Sequence, residues 1–105
     1  MKLSEARALT KFWQSELGLG EWDIRVRWAT SGDYGEDEYF GWVLWFTEEC
    51  TATMILDRRK ADERTIVHEL LHLRLEGHRA FPFKYDPLYE QGINKLVAFI
   101  LKRPQ

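Results

Sequence analysis

The segment His68-Glu69-Leu70-Leu71-His72 sets two imidazoles four positions apart, with a carboxylate beside the first. On an α-helix, residues four apart stand one turn apart on the same face, about 6 Å along the axis, so both rings can reach a single cation. Glu69 then projects toward the open side of that cation, where a carboxylate can take a proton from a coordinated water. Imidazole and carboxylate donors without thiolate suit zinc, although iron or manganese accepts the same donors. The bland reading is a chance pairing on a helix that serves only to pack. Histidine is scarce here, with three in 105 residues, and average usage puts a chance match in so short a chain at roughly one in a few hundred. A structural metal would fill all four positions with protein ligands and leave Glu69 without a task.

A catalytic ion needs a third protein ligand, and Glu76, His78 and Glu90 compete for the role. Glu76 lies eight residues beyond His68 on the same helix, about 12 Å along the axis, too far for a shared ion. Glu90 falls in the first turn of a third helix, on the stripe of Ile93, Asn94 and Val97 that should face the core. An inward carboxylate needs a partner, and a cation held by the preceding helix would supply one. Asn94, one turn later, is placed to hydrogen-bond the free nitrogen of a ligand histidine. His78 stays open as the rival.

These residues need elements to hold them. Leu3, Ala6, Leu9, Phe12, Trp13 and Leu17 recur at helical spacing, which predicts a first helix over 4–17 with Ser4 as N-cap and Gly18 and Gly20 at its end. Trp22 to Trp28 alternates apolar and polar residues as a strand does. Ser31 to Glu38 reads as an exposed acidic loop. Tyr39–Phe46 and Thr51–Leu56 are rich in strand formers, and Thr47 to Cys50 joins them as a hairpin. Ile66, Val67, Leu70, Leu71 and Leu75 mark a second helix that Gly77 can close, and Asp86-Pro87 opens the third. The order αβββαα predicts one α+β domain over residues 1–105, a small, mainly antiparallel sheet with helices packed on one face.

Hydrophobic residues make up 45% and charged residues 30%, the balance of a folded globular chain. Cys50 is the only cysteine, so an internal disulfide and a thiolate zinc knuckle are both excluded. A net charge of −2 suggests neither nucleic acid nor an acidic membrane as partner. The expectation is a cytoplasmic monomer. Arg58-Arg59-Lys60 reads as a solvated turn, and Trp42 and Trp45 as core residues of a strand.

His68-Glu69-Leu70-Leu71-His72 followed by Glu90-Gln91-Gly92-Ile93-Asn94 resembles the gluzincins, whose glutamate ligand lies on a following helix. Over most of its length the chain is similar to their smallest members, the minigluzincins and the small zincin-like proteins carried by phages and prophages. The resemblance implies a zincin-like metallopeptidase domain with zinc on His68, His72 and Glu90. It also implies Glu69 as base and proton shuttle, and hydrolysis of a peptide or protein substrate aligned on an edge strand drawn from residues 39–56. Gluzincins commonly carry an aspartate one turn after the glutamate. Asn94 stands there in this chain, and it orients a histidine without raising its basicity. Minigluzincin likeness also implies an alternative, a latent or non-catalytic zinc-binding regulatory or interaction module. The spacing of His68, His72 and His78 resembles that of the metzincins and of ribosomal RNA maturation nucleases, which would make the chain a metal-dependent nuclease. Leu75 occupies the position of the metzincin turn glycine, however, and no methionine follows the second helix. His78 is otherwise an exposed loop residue, with oxyanion stabilisation as its minor role, shared with Tyr85 and Tyr89.

Overall fold

The computed structural model describes residues 1–33, 40–79 and 86–102. It contains α1 (Leu3–Glu16), β1 (Asp23–Trp28), β2 (Gly41–Phe46), β3 (Thr51–Leu56), α2 (Glu63–Glu76) and α3 (Pro87–Lys102), with a 3-10 turn at Ser31–Asp33. The αβββαα order and α+β class are those expected from the periodicity. Tyr85, residues 34–39 of the segment expected to be an acidic loop, and residues 103–105 lie outside the described residues.

The sheet is mixed. β3 lies in its centre, antiparallel to β2 across the hairpin and parallel to β1. Alternation decides which side chains meet the helices. Ile24, Val26 and Trp28 of β1 stand level with Ala52, Met54 and Leu56 of β3, and Val43 and Trp45 of β2 complete the face. All eight belong to or pack against the core, with Met54 and Leu56 fully buried. Leu44 and Phe46 point the other way and are more than half exposed.

α1 starts at Leu3 with Lys2 as N-cap and no side-chain cap bond, so Ser4 sits inside the helix rather than ahead of it. Its end follows the expected glycine. Gly18 takes a left-handed φ of +72°, while Leu19 N–H donates to Gln14 O and Gly18 N–H to Ser15 O, the paired bonds of a Schellman motif. Trp13 Nε1 donates to Glu63 Oε2 at 3.1 Å, tying α1 to the start of α2.

α2 is fixed at both ends. Asp62 accepts from Thr65 N–H, and the Thr65 hydroxyl accepts from Asp62 N–H, a reciprocal box worth ~1 kcal/mol. Ile66, Val67, Leu70 and Leu73 are buried without residue, and truncating one of them should cost roughly 2–5 kcal/mol. Gly77 ends the helix in an ordinary right-handed conformation; a Cβ there would stand 2.5 Å from the Leu73 carbonyl oxygen and 2.9 Å from the Trp22 ring. Thr47 Oγ1 lies 2.8 Å from the backbone carbonyl oxygens of both Gly77 and Arg79, its one proton shared between them, which pins the same end to the hairpin. α3 opens as expected: Asp86 Oδ1 accepts from Leu88 N–H at 2.9 Å, Pro87 takes the first helical position, and Ile93 and Val97 face the core. Among the described residues, no helix is long and apolar enough to cross a membrane.

Candidate metal centre

His68 and His72 project from the same face of α2, and Glu90 reaches them from the first turn of α3. The two Nε2 atoms lie 3.1 Å apart. Glu90 Oε2 lies 3.2 Å from His68 Nε2, and Oε1 lies 3.0 Å from His72 Nε2. Donors bound tetrahedrally to one zinc at about 2.0–2.1 Å would stand about 3.3 Å from one another. His68, Glu69 and His72 form a group able to hold a metal ion, their donor atoms within 4.8 Å of one another.

The outer nitrogens fix the tautomers. His68 Nδ1 is 3.0 Å from Asn94 Oδ1, an acceptor, so Nδ1 carries the proton and Nε2 presents a lone pair. His72 Nδ1 meets Glu76 Oε2 at 2.5 Å, again an acceptor, with the same result. Two lone pairs and a carboxylate therefore converge on one point with no donor among them. Such a convergence calls for a cation. Burial and the neighbouring His72 hold the His68 imidazole below its ordinary pKa, which favours the neutral form that binds metal.

Glu69 is largely buried beside this point, its Oε2 3.8 Å from His68 Nε2. Burial, helped by the charges of Glu90 and Glu76, pushes its carboxyl up to about 8, while a bond from the Val43 N–H pulls the other way. That bond follows from the pleat. In β2 the backbone groups of Phe40 and its alternates face β3, so those of Gly41, Val43 and Trp45 face outward toward α2. The edge strand is thereby tied to the carboxylate. A cleft of about 470 Å³ opens over the group, walled by Phe40 to Trp42 on one side and by α2 and α3 on the other.

Glu76 is too far along α2 to share an ion with His68 but serves from behind. It is 3% exposed and accepts both from His72 Nδ1 and from Tyr89 Oη, the latter at 3.0 Å. Its position four residues after His72 was the available signal. Tyr89 thus faces Glu76, which together with burial raises the pKa of its hydroxyl. His78 lies in the turn after α2 and is exposed. Trp45 packs on the core as expected, its Nε1 donating to Arg79 O at 2.9 Å, but Trp42 lines the cleft. Asp33 of the acidic loop forms a 2.8 Å ion pair with Arg27, and Asp57 caps the amides of Arg59 and Lys60.

No protein-family model matches the chain, and neither a curated protein nor a solved structure is significantly similar to it.

Proposed function

We propose that the protein is a zinc-dependent peptidase of gluzincin type, with His68, His72 and Glu90 as metal ligands and Glu69 as general base. The carrying observation is the convergence of two Nε2 lone pairs and the Glu90 carboxylate within 3.0–3.2 Å, each imidazole oriented from behind by an acceptor. Three protein donors with an open cleft beside them match a catalytic rather than a structural zinc site. Zinc bound there would lower the pKa of a coordinated water and polarise a carbonyl oxygen.

The chain's own groups supply the rest. Glu69 takes the proton of the attacking water on a carboxylate oxygen and passes it to the departing amine nitrogen. Its carboxylate stands beside the proposed ligand His68 and lines the cleft, where it can both take and release that proton. The outward backbone groups of Gly41 can pair with an extended peptide lying in the cleft, which favours a peptide bond as substrate.

Zinc content after dialysis against a mild chelator tests the ligand set. One equivalent should remain in the wild type and in His78→Ala and be lost in Glu90→Ala; retention in Glu90→Ala would overturn the assignment. Glu69→Ala should keep zinc while losing hydrolysis of a peptide library.

A further inference from the structure

The sheet has a second open edge, remote in sequence from the metal-binding helix. β1 pairs with β3 on one side only. Asp23 N–H donates to Cys50 O and Ala29 N–H to Leu56 O, so alternate residues from Asp23 onward face β3, and Ile24, Val26 and Trp28 face outward. The ends of this edge are closed: Gln14 Nε2 donates to Trp22 O at 2.6 Å, and Arg27 Nη1 to Trp28 O at 3.1 Å. Between those stops, among the described residues, Ile24 and Val26 keep both N–H and C=O without a protein partner.

This stretch borders a groove of about 880 Å³ whose other wall is α1. Arg7 and Lys11, one turn apart on α1, flank the groove, and Arg25 flanks it from the strand. All three are exposed. Arg27 also lines it but is bound to Asp33. Asp23 is the one acid among the lining residues. The chain as a whole carries −2, so the positive charge is a local feature.

We propose that this groove docks an extended acidic segment of a partner protein, which adds to β1 as a further strand. Two residues of free edge match two residues of incoming backbone, which offers a donor and an acceptor to each. Side chains alternate along the added strand, so one set meets Arg7 and Lys11 and the other meets Arg25. A nucleic-acid backbone would bring anions to the cations but only acceptors to the carbonyls of Ile24 and Val26. A second copy pairing edge to edge would set Arg25 and Arg27 against their own counterparts. These arguments favour an acidic peptide over a nucleic acid or a second copy.

The test is fluorescence anisotropy of the full chain with a labelled peptide of about eight alternating glutamate and valine residues, a common strand length. Expected is saturable binding, weakened about tenfold by Arg7→Glu with Lys11→Glu, the effect of two exposed attractions made repulsive. N-methylation of alternate peptide amides should abolish it, because the edge bonds are lost while the charge stays. Unchanged thermal unfolding of the double variant shows that the fold is intact. Binding that ignores N-methylation, or equal binding of oligo-deoxythymidine, would reduce the groove to a polyanion patch and overturn the proposal. Absence of binding at millimolar peptide would overturn it too, as would concentration-dependent dimerisation lost in the double variant.

Discussion

Glu76 holds His72 from behind, its Oε2 2.5 Å from Nδ1, and Tyr89 in turn holds Glu76. The carboxylate that Asn94 does not give His68 is thus given to His72 from within the same helix. Such partners typically contribute 10–100-fold to metal affinity, so Glu76→Gln should weaken zinc binding by about tenfold and Glu76→Ala by more. Competition against a chromophoric chelator reads this directly. Histidine nitrogen shifts should also show His72 losing its Nδ1–H preference in Glu76→Ala, which a purely packing role for Glu76 would not produce.

Glu69 makes the metal-free protein sensitive to base. Its carboxyl titrates near 4.5 when unfolded and at about 8 when folded, so between those values the native state holds the extra proton. Stability must then fall as pH rises from about 4.5 to 8, and Glu69→Gln should remove that part of the slope. Chemical denaturation of both proteins in chelator, at pH 5 and pH 8, measures it. A Glu69→Gln variant whose advantage does not grow with pH would contradict the buried-carboxyl account.

Zinc should reverse this penalty, because a nearby cation favours the ionised carboxylate. At a free concentration a hundred times the dissociation constant, a ligand specific for the native state adds about 2.7 kcal/mol. Differential scanning calorimetry should show an upward shift of the melting temperature in the wild type and little in Glu90→Ala.

Gly77→Ala should destabilise the fold by roughly 1–3 kcal/mol, since its methyl would stand 2.5 Å from the Leu73 carbonyl oxygen and 2.9 Å from the Trp22 ring. Urea denaturation gives the value. Zinc stoichiometry should be unchanged, because the proposed ligands lie on earlier turns of α2 and on α3.

Much of this arrangement was legible in the residues. His68 and His72 announce themselves by spacing, and Glu90 by being acidic on an otherwise inward stripe. Asn94 was anticipated behind a histidine, and it stands 3.0 Å from His68. Glu76 was missed because distance from His68 was asked of it, whereas its contact is with His72. The Val43 amide on Glu69 could not be foreseen, since it depends on β2 being an edge strand and on its register with β3. The parallel pairing of β1 was equally hidden: local sequence records which face of a strand is apolar but not which neighbour it takes. Ser4 misled in a smaller way, because hydroxyl residues are favoured at caps but do not compel one.

The central position of β3 also sets an order of assembly. Its antiparallel partner is four residues away across the hairpin, whereas each of its parallel pairs with β1 spans 28 residues of chain, from Asp23 to Thr51 at one end and from Trp28 to Leu56 at the other. Closing the longer loop costs more entropy before any contact repays it. The hairpin is therefore the early structure and the docking of β1 the late one. Substitutions in β2 and β3 should slow folding, while those in β1 should chiefly hasten unfolding.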